Sequence, residues 1–423
     1  MRKIAFNDGW TCRHAVDSGK GKPVTIPHDA MLDEKRTQES LGGINVGWFE
    51  GFDYVYEKEF FVPQEYEEFR LVFEFEGVYR NAEVYLNGKR AGFRPYGYTN
   101  FYVEANEFLH FGMKNQIQVI AHNADQPNSR WYSGAGIYRP VSLYVLPKKH
   151  IGINGVKIST VSISPAVIDV KVETSAPGEM ELEIFEGESL VSGQMPVASV
   201  KKSVDGNFQI QLEIPDAKLW STEFPFLYTC RVRFEEDEIE ETFGVRTIGW
   251  SAENGFLMNG ERVILRGACI HHDNGVLGAC CYPEAEERKI RILKENGYNA
   301  IRSAHNPCSK ALLDACDRQG MLVMDEFVDV WYIHKTEYDY VNHFAKWWKQ
   351  DLKDMVEKDY NHPSVILYST GNEVSETAQE RGVRLTGQMT EYLHSLDATR
   401  PVTCGINIFF NFLSSIGLSL INI

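Results

Sequence analysis

The chain has 423 residues, 43% of them hydrophobic and 24% charged, enough for two or three globular domains with buried cores. Its formal net charge is -16, with 59 acidic against 43 basic side chains; a surface of that sign repels phosphate backbones and argues against nucleic-acid partners. Eight scattered cysteines without a CxxC or metal-ligand spacing fit buried free thiols in a reducing compartment. The Met1–Trp10 stretch has no apolar signal-peptide core, so a cytoplasmic location is expected.

Residues 1–148 read as short strands. Leu71–Phe75 and Ala82–Leu86 are apolar, β-branched or aromatic runs, and Asn87-Gly88 follows directly. That dipeptide is a hairpin signal, because both central residues of a type I′ turn need positive φ. Ile117, Val119 and Ala121 alternate with polar residues, and Val141–Leu146 closes the segment. A β-sandwich of jelly-roll type is expected. Pro147–His150 reads as a linker. Over 149–250, Ile168/Val170/Val172, Met180/Leu182/Ile184 and Phe208/Ile210/Leu212/Ile214 keep period two, as in sheet packed on sheet in a small immunoglobulin-like sandwich. The acidic run Glu235–Glu238 reads as a solvated turn.

From about residue 251 the pattern becomes strand–helix alternation. Strands are predicted over Val263–Gly267, Asn299–Arg302, Leu322–Asp325, Val365–Tyr368 and Val402–Cys404. Helices are predicted over Pro283–Asn296, from the Ser309 cap to Gly320, around Phe344, Trp347, Trp348, Leu352 and Met355, and over Glu376–Ser395. Such alternation predicts parallel βαβ units. His271-His272-Asp273, His305-Asn306, Asp325-Glu326 and Asn372-Glu373 all fall just after strands, where a βα-barrel builds its active face. His271, His272 and Asp273 sit too close together on one strand end to converge on a metal. Neither a metal nor a cofactor is expected.

Glu373 follows Gly371-Asn372 at the end of an apolar strand. Glycosidic cleavage needs one carboxylic acid to protonate the leaving oxygen and a second carboxylate across the sugar ring. Glu373 is a candidate for the first, with burial and a neighbouring carboxylate expected to keep it protonated. An ordinary surface Glu after a strand is the alternative that spacing leaves open.

The stretch Asn299–Pro307 (NAIRSAHNP), continuing to Asp317–Gly320, and the stretch Asp359–Glu373 (DYNHPSVILYSTGNE) resemble the two signatures of glycoside hydrolase family 2. Ser129–Pro140 (SRWYSGAGIYRP) resembles its sandwich motif, and Phe243–Ile248 with Leu257–Arg262 resemble its passage into the barrel. Tyr368 stands where that family usually has Trp. The resemblance implies a jelly-roll sugar-binding-like domain (1–148), an immunoglobulin-like sandwich (149–250) and the N-terminal part of a (β/α)8 TIM barrel (251–423). It implies Glu373 as acid/base, Asn372 as ligand of the hydroxyl beside the reacting centre, Arg302 as an orienter of carboxylates and His305 as a sugar contact. Arg302 as a structural ion-pair residue and His305 as a core histidine remain open alternatives. Trp331 is a candidate apolar platform for a sugar face, with core packing equally open. Asp325 and Glu326 could brace the site or the fold.

In such a retaining enzyme the nucleophile is a Glu on a later barrel strand. After Glu373 the chain offers Glu376, Glu380, Glu391 and Asp397, none at a later strand end, and five barrel strands rather than eight. The nucleophile is expected to be missing. The Pro401–Ile423 tail has no charged residue; a membrane anchor is one reading, but its Asn and Ser interruptions favour a barrel segment. The resulting expectation is a retaining β-galactosidase-like hydrolase acting on a carbohydrate, since His305-Asn306-Pro307 leans that way. β-Glucuronidase, β-mannosidase and a non-catalytic carbohydrate-binding fragment are the alternatives. No membrane partner is expected, and homo-oligomerisation is left open.

Overall fold

The architecture is that of a computed structural model of the chain, which describes residues 1–406. The expectations for the rest of the Pro401–Ile423 tail fall outside those residues. Among the described residues no helix is long and apolar enough to cross a membrane.

The N-terminal unit packs a four-stranded sheet on a six-stranded one, both antiparallel. Between the sheets lie Trp10, Tyr56, Phe73, Phe75, Val84 and Val119, all at most 1% exposed. Ala82–Leu86 alternates buried and half-buried positions, as a strand with one core face must. Asn87 and Gly88 hold φ of 49° and 76°, the left-handed pair that the hairpin requires.

The second unit is a seven-stranded sandwich, three strands (Ile151–Ile163, Ala166–Thr174, Phe208–Glu213) on four. Ile168, Val170 and Val172 face Leu182, Ile184 and Val232 in its core. The acidic run is only partly a solvated turn. Glu235 makes the turn at φ 52°, but Asp237 is 1% exposed and accepts the Ile151 N–H at 2.8 Å.

A three-stranded meander over 248–262 leads into five parallel strands in sequential order: Gly267–Ile270, Ala300–Ser303, Leu322–Glu326, Val365–Ser369 and Val402–Thr403. This is part of a TIM barrel. Its first strand starts later than the sequence suggests. Asn259-Gly260 turns the chain at φ 53° and 83°, Glu261–Arg262 pair back on Leu257–Met258, and pairing with the barrel begins at Gly267 opposite Ala300. Residues 263–266 are therefore connection, and Ile264 is 64% exposed. Cys269 is exposed as well, against the expectation of buried thiols. All eight cysteines are free.

Four helices cover the outer face of the sheet. Pro283–Glu295 begins on Pro, whose missing N–H costs nothing in the first turn. Ser309 caps Lys310–Gln319 by accepting the Leu312 N–H at 3.2 Å, and Gly320 ends that helix at φ 68°. There a Cβ would lie 2.5 Å from the Thr222 carbonyl oxygen. Val341–Asp359 buries Phe344, Trp348, Leu352 and Met355. The last predicted helix is split, with a single 3-10 turn over Ser375–Ala378 and the helix itself over Glu380–Leu396. Glu376 is turned inward there to accept the N–H groups of Tyr332 and Ile333 at 2.9 Å each.

The end of the third helix carries a pH-sensitive group. Burial pushes the Asp359 carboxyl up to about 8, the adjacent Lys358 ammonium offsetting only part of the effect. Between its ordinary value near 3.8 and about 8, the folded chain keeps a proton that the unfolded chain has lost. Stability from this group is complete below that window and falls as pH rises through it, by up to about 1.4 kcal/mol per pH unit. The His362 imidazole, raised to about 9 because Asp317 outweighs its burial, adds a loss of the same sign at the upper end. Urea midpoints are expected to fall from pH 5 to pH 8, with a smaller fall in Asp359→Asn. An unchanged slope in that variant would remove Asp359 as the cause.

Candidate active site

The polar residues predicted after the barrel strands do converge at one rim. Glu326, the last residue of its strand, is fully buried. It accepts Arg302 Nε at 3.0 Å and Nη2 at 2.7 Å, the Ser369 hydroxyl at 2.7 Å, and His305 Nδ1 at 2.6 Å. A buried carboxylate is tolerated only with such saturation. It ties three strand ends together: Arg302 lies in Ala300–Ser303 and His305 just past its end, Ser369 ends Val365–Ser369, and Glu326 ends its own strand.

Arg302 Nη2 also donates to Asn372 Oδ1 at 2.7 Å, and Asn372 Nδ2 donates to Asp329 Oδ1 at 2.9 Å. The donor on one side and the carboxylate on the other dictate which way the amide points. Asn372 is 3% exposed, and one Nδ2 hydrogen remains for a ligand. Asp329 further accepts Arg130 Nε at 2.8 Å and Lys335 Nζ at 2.9 Å. Burial would raise its carboxyl, but the Arg130 and Lys335 cations outweigh it and hold Asp329 below its ordinary value.

Glu373 stands next to this network and differs from it. Its side chain is 55% exposed, and its one ion-pair partner among the described residues is Arg130, at 3.5 Å. The described residues alone do not give it the burial expected from sequence. Its backbone sits at φ 43°, a left-handed conformation that costs a non-glycine residue about 1–3 kcal/mol. Strain of this kind persists where the surroundings over-determine it. Val374 N–H donates to Gly405 O at 3.2 Å and Gly405 N–H to Gly371 O at 2.7 Å, so the turn is tied on both sides of the residue.

Trp331 is not a sugar platform. It is fully buried, donates Nε1–H to Thr370 O at 2.9 Å, and lies where a Cβ on Gly371 would come within 2.9 Å of that nitrogen. It supports the Gly371–Glu373 turn from beneath, which explains why Gly precedes Asn372. The half-exposed aromatic at the rim is Trp131, from the N-terminal sandwich. Its ring stacks on His271 at 5.3 Å and meets the His305 ring edge-on at 5.5 Å. Arg130, Trp131, Asp329 and Lys335 also meet at this rim, beyond the residues expected from sequence. The Ser129–Pro140 motif held the signal for the first two; Asp329, in the loop three residues past Glu326, could have been found from its distance to the strand end.

His271 and His272 diverge, the first stacking on Trp131 and the second directing Nε2 at the Ser133 carbonyl at 3.0 Å. The two histidines therefore do not point at a common centre. Asp325 is fully buried and accepts the Cys308 N–H at 3.0 Å, a structural role.

Three family profiles match in order: the sugar binding domain of glycosyl hydrolases family 2 over residues 50–147, glycosyl hydrolases family 2 over 151–246, and the family's TIM barrel domain over 252–418. The chain belongs to glycosyl hydrolase family 2. A crystal structure of a family 2 member from Bacteroides cellulosilyticus superposes with a TM-score of 0.91 at 33% identity, covering 99% of this chain and 57% of that one. The β-galactosidase BoGH2A of Bacteroides ovatus is 36% identical over 91% of this chain and 50% of its own length. A β-glucuronidase of Bacteroides fragilis is 28% identical over 96% of this chain and 61% of its own length. This family 2 chain thus spans about half the length of the curated relatives it matches.

Proposed function

We propose that this family 2 chain supplies the acid/base half of a retaining β-glycosidase that acts on β-galactosides. The observation that carries the reading is Glu373 itself: an accessible carboxylate on a strained turn at the C-terminal rim of the barrel, beside an Asn372 locked by Arg302 and Asp329. An acid must reach the glycosidic oxygen from the rim, while its neighbours hold the ring.

The second carboxylate is not supplied by the acidic residues that follow. Glu376 is buried against backbone N–H groups, Asp397 is paired with Arg400, and Glu380 and Glu391 lie on the Glu380–Leu396 helix. On this reading the nucleophile lies outside the described residues.

Three observations favour a neutral galactoside over a glucuronide. His305-Asn306-Pro307 leans toward galactosidases, as does the relative from Bacteroides ovatus. The cations nearest Asn372 and Glu373 (Arg302, Arg130 and Lys335) each already face a carboxylate of the protein, whereas a uronate would need one to spare. In assays of the full-length protein, kcat/KM for 4-nitrophenyl β-galactoside is expected to exceed that for the β-glucuronide by at least about 10²-fold. Proton NMR should show the β-anomer formed first. A preference for the glucuronide would overturn the substrate, and a first-formed α-anomer would overturn the mechanism.

A further inference from the structure

We propose that Arg130, delivered by the N-terminal sandwich, is a positioning residue for Glu373, so that the acid of the barrel is aimed by a different domain. The inference rests on Glu373 being the acid/base.

The Arg130 guanidinium spans two carboxylates. Nε and Nη2 grip Asp329 at 2.8 and 2.5 Å, and Nη1 lies 3.5 Å from Glu373 Oε2. The bidentate grip fixes the plane of the fork, which a lysine could not do. Asp329 is itself held by Asn372 and Lys335. The loop that carries Arg130 is tied down on the sandwich side. Asn128 accepts the Tyr79 hydroxyl at 2.9 Å and donates to Asn123 at 2.9 Å, and Trp131 Nε1–H donates to the Tyr98 hydroxyl at 3.2 Å.

Among the described residues Glu373 has no comparable restraint. More than half of its side chain is exposed, and Arg130 is its one polar side-chain contact recorded among the described residues. A carboxylate left to rotate spends little time aligned with a glycosidic oxygen, and a misplacement of about 1 Å can cost about 100-fold in rate. Glu326, by contrast, has every oxygen committed and no freedom to be aimed.

The test compares full-length wild-type protein, Arg130→Met, Arg130→Met/Asp329→Asn and Glu373→Gln on two substrates. Methyl β-galactoside needs its leaving oxygen protonated; 2,4-dinitrophenyl β-galactoside does not. Arg130→Met keeps Lys335 on Asp329. It is expected to lose about 10–100-fold in kcat/KM on the methyl glycoside but less than about 3-fold on the dinitrophenyl one, mostly in kcat. The double variant removes the buried charge that Arg130 neutralises and is expected not to recover the methyl-glycoside rate. Equal losses on both substrates, or recovery in the double variant, would reduce Arg130 to a structural counter-ion. If Glu373→Gln also loses equally on both, the acid/base reading fails and this proposal with it. If Glu373→Gln discriminates between the substrates and Arg130→Met does not, only the Arg130 proposal falls.

Discussion

Glu373→Gln is expected to lower kcat/KM on an alkyl β-galactoside by about 10²–10⁴-fold, the usual contribution of a positioned general acid. The side chain is 55% exposed with one ion pair at 3.5 Å, so the amide should replace it without disturbing the fold, and the thermal midpoint should stay close to wild type. The loss should shrink as the leaving group improves, because a good leaving group departs without the proton. Added azide should partly restore turnover on activated substrates, since a small anion can attack a glycosyl intermediate that no longer has a base to activate water. A variant within about tenfold of wild type on the alkyl glycoside would take Glu373 out of the chemistry, and the strained turn beneath it would need another explanation.

The largest effect on stability is expected from Arg302→Ala. Arg302 gives Glu326 two hydrogen bonds, at 3.0 and 2.7 Å, and Glu326 is fully buried. Removing one partner of a buried pair leaves an uncompensated charge and typically costs about 3–5 kcal/mol, much more than the pair contributes over an apolar substitute. Urea denaturation should show that loss, and Arg302→Met combined with Glu326→Gln should recover most of it, because the charge is gone. A loss below about 1 kcal/mol in the single variant, as for an exposed ion pair, would show that water or another cation reaches Glu326. Arg302→Ala should also lower activity, since Asn372 Oδ1 loses its 2.7 Å donor. For Arg302 the structural and functional readings therefore coincide.

Much of the fold was legible because its signals are local. Asn87-Gly88 named its own turn, Ser309 its own cap, and the alternation at Ile168, Val170 and Val172 its own sheet face. The errors came where a distant partner intervened. Val263–Gly267 looked like a strand by composition, yet pairing begins only where Ala300 is available at Gly267. Glu376 looked like a helix start, but the unsatisfied N–H groups near Trp331 draw it inward. At the candidate site, motifs and strand ends point to Arg302, His305, Asn372 and Glu373, which the fold brings to one rim. Trp331 was misplaced because an aromatic in a rim loop has the same sequence signature whether it faces a sugar or supports a turn from beneath.

By itself the sequence determined the three-part architecture and placed Glu373 with Asn372 at the barrel rim. These follow from periodicities and motifs that act within a few residues along the chain. Only the tertiary structure decided that Glu373 stands exposed among the described residues, that Glu326 is the saturated hub, and that Arg130 of the first domain reaches Glu373 in the third. Arg130 and Asp329 are 199 residues apart along the chain. No local pattern records such a pairing, because it exists only once the sandwich and the barrel pack against each other.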